Sequence, residues 1–148
     1  MIDEKRKKCT VRVRSEQIST DGEKQIMETK SEGQLSERNG VLYVLYTENL
    51  DESGTGISAK VKNLLKIENE PVRAALKKSG AVSWKMIFEQ GKKHRTEYET
   101  PYGALEIGVD TTEAKLEKGQ EKTSLQLMYT LFIQGEKQAA CRLEIEII

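Results

Sequence analysis

The sequence predicts an all-β protein, and three observations carry this prediction. Apolar and polar residues alternate along about ten short runs, the pattern of strands with one buried face. Turn-forming dipeptides and glycines separate these runs. No long amphipathic helical pattern intervenes, so parallel crossover units are not expected. Because closure of an antiparallel meander removes its exposed edges, we predict an up-and-down β-barrel of about 8–10 strands, with a β-sandwich as the alternative.

Length and charge limit the classes of protein to which the chain can belong. Its 148 residues suit one domain, so we predict a single barrel over residues 1–148 with a loose N-terminal segment at 1–8. Lys and Arg total 24 and Asp and Glu total 24, which argues against nucleic acid or a membrane surface as partner. The charged first residues precede no apolar stretch, and no run is long enough to span a bilayer. We therefore expect a cytoplasmic protein.

Two hairpin signals organise the first four strands. Asp21-Gly22 and Asn39-Gly40 each lie between extended runs and favour type I′ turns, which need positive φ at both central residues. Strands are predicted over about 9–14, 23–37, 41–47 and 57–67.

Three further features of this half are less regular. Gly33 is expected to mark a bulge or bend within the polar second strand. The alternation in the fourth strand is expected to slip by a bulge within Leu64–Ile67. Val72–Lys77 has some helical propensity but is short, so we predict a strand there, with a single helical turn as the alternative.

The stretch from Tyr98 to Thr112 is predicted to organise the second half. Pro101 and Gly103 fit the second and fourth positions of a type I turn, and a strand with an apolar face follows. Gly135 fits a two-residue type II′ turn between the last two strands. Strands are predicted over about 82–88, 92–99, 104–112, 125–133 and 141–147.

The order of these motifs resembles a known family. The pieces that carry the resemblance are Lys78-Ser79-Gly80, Tyr98-x-Thr100-Pro101-Tyr102-Gly103, Thr111 and Tyr129-x-Leu131. They are similar to the YwiB-like family of small bacterial barrel proteins, a domain of unknown function, over nearly the whole chain. The resemblance implies a calycin-like, lipocalin-type barrel and no reaction. True lipocalins carry a Gly-x-Trp motif in the first strand, whereas the only tryptophan here is Trp84, so ligand-carrier function does not follow from the architecture.

No residue set predicts catalysis, a metal or a cofactor. His94 is the only histidine, which leaves a zinc site and a Ser-His-Asp triad without support. Cys9 and Cys141 lie on the first and last strands with the parity of the apolar face. Because these strands must pair in a closed barrel, we expect the two thiols to be neighbours and to stay reduced. We therefore do not expect an enzyme.

The barrel lumen is the candidate ligand site. Inward side chains either fill a lumen or leave room for one small apolar or amphipathic molecule, and both alternatives stay open. We expect Tyr98 and Tyr102 near its mouth, with Arg95 able to reach in and pair an anionic head group. The expected lining residues are Trp84, Met86, Phe88, Leu105 and Tyr129.

A rival hypothesis places function on the outer face, through a homodimer or a protein partner. Four apolar residues lie at positions that their strands would send outward, namely Tyr43, Leu45, Met128 and Phe132.

Overall fold

The structure, a computed structural model, describes residues 6–51, 58–80 and 83–148 of the chain. Within them, ten strands form one antiparallel sheet. Their bounds in chain order are Lys7–Ser19 (β1), Lys24–Arg38 (β2), Val41–Asp51 (β3), Ser58–Glu68 (β4), Arg73–Ser79 (β5), Trp84–Glu89 (β6), Lys93–Thr100 (β7), Gly103–Lys118 (β8), Thr123–Ile133 (β9) and Glu136–Ile147 (β10). No helix in these ranges has the length and apolar composition of a membrane span.

The sheet follows the chain order and closes on itself through its first and last strands. The order is β6-β5-β4-β3-β2-β1-β10-β9-β8-β7. In the ladder between β1 and β10, Val11 pairs with Ile147 at one end and Ser19 pairs with Ala139 at the other. The predicted antiparallel up-and-down barrel is confirmed as a nearly closed barrel of ten strands, consistent with a calycin-like architecture.

Two breaks interrupt the wall of this barrel. The first, the β6–β7 seam, lies between β6 and β7, whose described residues form no ladder with each other. The second, the β2–β3 opening, begins where the β2–β3 ladder ends at the pair Gly33–Tyr46. Beyond that pair, residues 24–32 of β2 pair with β1, and residues 47–51 of β3 pair with β4. The two strands have therefore parted.

Gly33 allows β2 and β3 to approach closely at Gly33–Tyr46, the last residue pair of their ladder before the β2–β3 opening. A Cβ atom at this position would lie 2.8 Å from the carbonyl oxygen of Leu45 and 3.0 Å from Cγ2 of Val11. A larger residue would collide with the backbone of β3, so glycine is needed where the two strands approach this closely. The predicted bulge is absent, because both ladders keep their register at Gly33, and the glycine is instead required by the close approach of β3.

The β6–β7 seam is bridged by hydrogen bonds. Oγ1 of Thr96 on β7 donates to the carbonyl oxygen of Lys85 on β6 at 2.6 Å. The turn between the strands is held to β8, because the N–H of Gly91 donates to the carbonyl of Thr111 at 2.8 Å. The N–H of Thr111 in turn donates to the carbonyl of Lys92 at 3.1 Å.

Ion pairs around Glu89 reinforce this seam. Its carboxylate oxygens lie 3.0 Å from Nζ of Lys92 and 3.4 Å from Nε of Arg73. Nε2 of His94 lies 3.1 Å from Oε1 of Glu89. Hydrogen bonds from Lys92 and then His94 hold the pKa of Glu89 below its ordinary value. His94 is half-buried and belongs to the seam.

The lumen is packed at one end and hollow at the other. The packed end lies towards the β2–β3 turn, where Val11, Val44 and Phe88 are fully buried. Other fully or almost fully buried side chains of the core are Leu65, Ile67, Ala74, Val109, Leu125 and Leu127. The hollow end lies towards the β1–β2 turn and contains the cavity described below.

Several local predictions need correction. Lys7 and Lys8 are not loose. They belong to β1, because the β1–β2 ladder extends to the pairs that they form with Leu35 and Gln34. The alternation in β4 does not slip, since Asn63 occupies the inward position between its neighbours.

Two other local predictions have different outcomes. The prediction of a strand at 72–77 is confirmed, since residues 73–79 form β5. The predicted loop at 51–56 and the start of the strand at Val82 lie wholly or partly outside the described residues.

The two cysteines are free and are not neighbours. Cys141 pairs across the ladder with Gln17, and Cys9 pairs with Gly33 near the other end of β1. Gln17 and Cys9 are eight positions apart along the extended β1 strand, a distance of about 26 Å. No disulfide can form across such a distance without a large rearrangement.

Candidate functional site

The hollow half of the lumen is a cavity of about 520 Å³. Side chains from seven strands line it, including the described parts of β2 and β3 that border the β2–β3 opening. The apolar lining consists of Val13, Ile26, Met27, Leu76, Trp84, Met86, Leu131, Leu143 and Ile145, together with the rings of Tyr46 and Tyr129. The polar lining consists of Ser15, Gln17, Gln25, Thr29, Glu48 and Lys78.

A buried carboxylate is the centre of the polar lining. Glu48 on β3 is only 5% exposed, which is unusual for a charged residue unless it is paired. Its Oε1 accepts hydrogen bonds from Nδ2 of Asn63 at 2.8 Å and from Nζ of Lys78 at 3.0 Å. Its Oε2 accepts from Oγ1 of Thr29 at 3.1 Å. We call Thr29, Glu48, Asn63 and Lys78 the lumen cluster.

The lumen cluster spans the β2–β3 opening. Thr29 lies on the part of β2 that has left β3, and Glu48 lies on the part of β3 that has left β2. Their hydrogen bond therefore joins two strands that no longer share a ladder. Asn63 on β4 and Lys78 on β5 hold the same carboxylate from the other side.

One acceptor in the lumen cluster has no partner among the described side chains and backbone. The amide orientation of Asn63 is set by two acceptors, because Nδ2 donates to Glu48 and lies 3.3 Å from the carbonyl oxygen of Val61. Its buried Oδ1 then has no hydrogen bond. Such an atom is a place where water or a polar molecule is expected to donate.

The rim of the cavity is apolar. Ile26 and Met27 on β2 are 51% and 58% exposed, and both also line the cavity. They lie in the segment of β2 that has no β3 partner. The β2–β3 opening therefore combines exposed apolar side chains at its edge with a buried ion pair behind them.

Three of the sequence-predicted site residues meet in the cavity. Trp84 and Met86 on β6 and Tyr129 on β9 all line it. Phe88 is fully buried in the core, and its ring centroid lies 4.9 Å from that of Tyr129. It thus supports the cavity wall without lining it.

The other four predicted positions lie elsewhere. Tyr98 packs edge-on against Trp84, with ring centroids 6.3 Å apart, so it stands behind the lining. Leu105 pairs with Tyr98 across the β7–β8 ladder and is half-buried outside the cavity lining. Tyr102 is fully exposed in the β7–β8 turn. Arg95 is exposed on the outer face with Nε 3.6 Å from Glu106, because its parity on β7 points away from the lumen.

Burial changes the acidity of the groups near the lumen. Desolvation, with a contribution from the charge of Glu48, raises the pKa of Tyr46 far above its ordinary value. Desolvation also raises the pKa of Tyr129 and that of Cys141. These groups are therefore neutral at physiological pH. The described segments contain no group of three or more His, Cys, Asp and Glu side chains placed to hold a metal ion.

Sequence reasoning missed the lumen cluster, although a signal for it was present. Glu48 follows Leu42, Val44 and Tyr46 at the same parity, so a carboxylate occupies an inward position. Asn63 and Lys78 interrupt the apolar faces of β4 and β5 in the same way. Three polar residues at inward positions of consecutive strands indicate a buried polar group rather than a solvated face.

A second depression adjoins the lumen cluster, because Asn63 and Tyr46 both help to line it. It has a volume of about 750 Å³ and is bordered by exposed side chains, including Glu32, Gln34 and Lys62. The lumen cavity has the more typical character of a small-molecule site, because such sites are mostly apolar with a few convergent polar groups.

Comparison with known proteins now places the chain. A family model described as "Domain of unknown function (DUF1934)" matches residues 11–145. The chain belongs to this family. The DUF1934 match extends from β1 to β10 and includes the whole lumen cluster. It confirms the YwiB-like resemblance noted in the sequence.

A solved structure agrees with this DUF1934 assignment. The crystal structure of the ywiB protein from Bacillus subtilis is similar to this chain, with a TM-score of 0.77 and 22% identity. The match covers 96% of this chain and 91% of the ywiB chain. At that identity the likeness shows the fold alone. The comparison with curated proteins gives no match.

Proposed function

We propose that this DUF1934 protein binds a small, partly apolar molecule in the hollow half of its barrel, with entry through the β2–β3 opening. The observation that carries the proposal is a cavity of about 520 Å³ with an apolar lining and one polar cluster. That volume falls within the range of about 300–1,000 Å³ typical of small-molecule sites. The exposed Ile26 and Met27 would offer an entering apolar group its first contacts.

The proposal is for binding and not for a reaction. Among the described lining residues, Glu48 carries the carboxylate that could act as a general base. Three donors already hold this carboxylate, so it does not face the cavity as an unpartnered base. Two free cysteines suit a reducing compartment, which supports a cytoplasmic location for the protein.

Two measurements test the proposal. Protein purified gently from cells should carry a bound molecule, seen as added mass in native mass spectrometry. Protein freed of that molecule should then bind the neutral probe 2-acetylnaphthalene in isothermal titration calorimetry and change the fluorescence of Trp84, the only tryptophan.

A bulky substitution locates the binding. Met86→Trp should fill the cavity and abolish the calorimetric signal, because Met86 lines the lumen. Met128→Trp is the matched control on the outward side of β9 and should bind the probe as the wild type does. Absence of both a co-purified molecule and probe binding would end the proposal, as would equal binding by the two variants.

A second candidate function is self-association through the outer face of β3 and β4. Leu45 and Leu64 are paired opposite each other and are 44% and 37% exposed. Phe132 is less available, because Nζ of Lys93 lies 3.8 Å above its ring. Sedimentation equilibrium tests this candidate: Leu45→Glu should dissociate a dimer, and a wild-type monomer at all concentrations would remove it.

A further inference from the structure

The charges of the cavity lining sum to zero. Among the described lining residues, Glu48 and Lys78 are the charged pair, and their charged atoms are 3.0 Å apart. Glu48 would remain in place without Lys78, since Asn63 and Thr29 also bind its carboxylate. The negative charge is therefore a fixed part of the lumen wall.

Lys78 is the donor that faces the cavity. Its side chain is 21% exposed, whereas that of Glu48 is 6% exposed. An ammonium group carries three N–H donors, and the described residues occupy one of them through Oε1 of Glu48. A molecule in the lumen can thus accept a charge-assisted hydrogen bond from Lys78.

The pair discriminates between ligands by their charge. A ligand carboxylate beside Lys78 would be attracted by the ammonium and repelled by the nearby Glu48, and it would leave one buried charge without compensation. A cationic ligand would be attracted by Glu48 and repelled by Lys78, and it too would add an uncompensated charge to the site. A neutral carbonyl can accept from Lys78 without adding charge to a site of low dielectric constant.

We propose that the lumen selects neutral molecules that pair an apolar body with a hydrogen-bond acceptor such as a carbonyl, and rejects their anionic and cationic counterparts. This inference rests on the proposed function. It replaces the sequence-based expectation that Arg95 pairs an anionic head group, because Arg95 lies on the outer face.

Three probes of nearly the same shape test this selectivity by isothermal titration calorimetry. They are 2-acetylnaphthalene, which is neutral, 2-naphthoate, which is anionic, and 2-naphthylmethylammonium, which is cationic. We expect the wild type to bind the ketone at least about tenfold more tightly than either ion, from the cost of an uncompensated buried charge.

Removing the negative charge should abolish the preference for the ketone over 2-naphthoate. Glu48→Gln keeps the shape and can retain hydrogen bonds to Asn63 and Thr29, so the barrel should still fold. It leaves Lys78 without its counter-charge, and 2-naphthoate should gain about tenfold relative to the ketone. Glu16→Gln is the matched control, because Glu16 forms an ion pair of the same length, 3.0 Å, with Lys24 outside the lumen. Glu16→Gln should leave the ratio of the ketone affinity to the 2-naphthoate affinity unchanged.

The outcomes separate the inference from the proposed function. Wild-type binding of 2-naphthoate or of the ammonium probe as tightly as the ketone overturns the inference and leaves lumen binding in place. A ketone-to-naphthoate ratio that Glu48→Gln does not alter also overturns it. If none of the three probes binds and no molecule co-purifies, the proposed function fails and the inference fails with it.

Discussion

The two breaks in the barrel wall differ in how they are closed. At the β6–β7 seam, Thr96 donates to a backbone carbonyl and the ion pairs around Glu89 join the turn to its surroundings. At the β2–β3 opening, one described side-chain hydrogen bond, from Thr29 to Glu48, crosses the gap, and the cavity lies behind it. One break is closed by a hydrogen bond and ion pairs, and the other leads into the lumen.

The difference shows that an interrupted ladder alone does not indicate an entrance. What distinguishes the β2–β3 opening is the combination of unpaired strand edges, exposed Ile26 and Met27, and a buried charge. If the two breaks have these separate roles, substitutions at them should differ in their effects on stability and on ligand exchange.

The largest effect is expected at the last rung of the β2–β3 ladder. Gly33→Ala places a Cβ 2.8 Å from a backbone oxygen that cannot move away cheaply, so the free energy of unfolding should fall by about 1–3 kcal/mol. Urea unfolding measures this. Gly108→Ala is the control, because its Cβ would meet the flexible end of Lys93 at 3.2 Å and Cβ of Phe132 at 3.3 Å. A loss at Gly33 no greater than that at Gly108 would show that the rung is not sterically required.

The same substitution can be made at both breaks. Thr29→Val and Thr96→Val each remove one bridging hydrogen bond, and each should cost about 1 kcal/mol. Only Thr29→Val should change the rate at which 2-acetylnaphthalene leaves the protein, measured by stopped-flow Trp84 fluorescence. Equal changes in that rate in both variants would contradict the assignment of the entrance to the β2–β3 opening.

The seam should weaken in acid. Because its partners lower the pKa of Glu89, this carboxylate stabilises the fold above its ordinary pKa of about 4.3. That contribution is lost as the pH falls through the lowered folded-state pKa. Glu89→Gln should therefore be less stable than the wild type at neutral pH, and the difference should disappear in acid. Urea unfolding between neutral and acidic pH checks this, and a difference independent of pH would contradict it.

The smallest effect is expected in the labelling rates of the two thiols. Burial raises the pKa of both Cys9 and Cys141, so both should react slowly with iodoacetamide. Cys9 is half-buried and Cys141 is buried, so Cys9 should be labelled first. Mass spectrometry of the Cys9→Ser and Cys141→Ser variants gives the two rates. Faster labelling of Cys141 would indicate that the β1–β10 closure opens readily.

The sequence predicted the wall of the barrel better than its interior. Alternation is a local signal, so the strands and the places of the hairpins at Asp21-Gly22 and Asn39-Gly40 were predictable. The turn types were predicted less well. Asn39-Gly40 has positive φ at both residues, as type I′ requires, whereas at Asp21-Gly22 only the glycine does, and the turn at Gly135 has positive φ at both Gln134 and Gly135, which excludes type II′. Where strands part, and which inward residues meet, depends on contacts between distant segments. The expectation that Arg95 reaches into the lumen was wrong for a simpler reason, because Arg95 has the outward parity of β7. Tyr102 is fully exposed in the β7–β8 turn, and its place near the mouth of the lumen stays a prediction.

The lumen cluster was only partly accessible to sequence reasoning. The inward parity of Glu48 was readable within β3, because apolar residues precede it at alternate positions. Its partners Asn63, Lys78 and Thr29 are 15, 30 and 19 residues away in the chain. Pairing them required the register of β2, β3, β4 and β5, which the alternation of a single strand does not supply.

A crystal structure of the protein with 2-acetylnaphthalene tests the central claim most directly. The claim predicts the naphthalene rings among Trp84, Met86 and Tyr129, with the ketone oxygen about 2.7–3.2 Å from Nζ of Lys78. It also predicts that the β6–β7 seam keeps its hydrogen bonds. A probe bound on the outer face or at the seam, or a lumen that stays without the probe at saturating concentration, would contradict the claim.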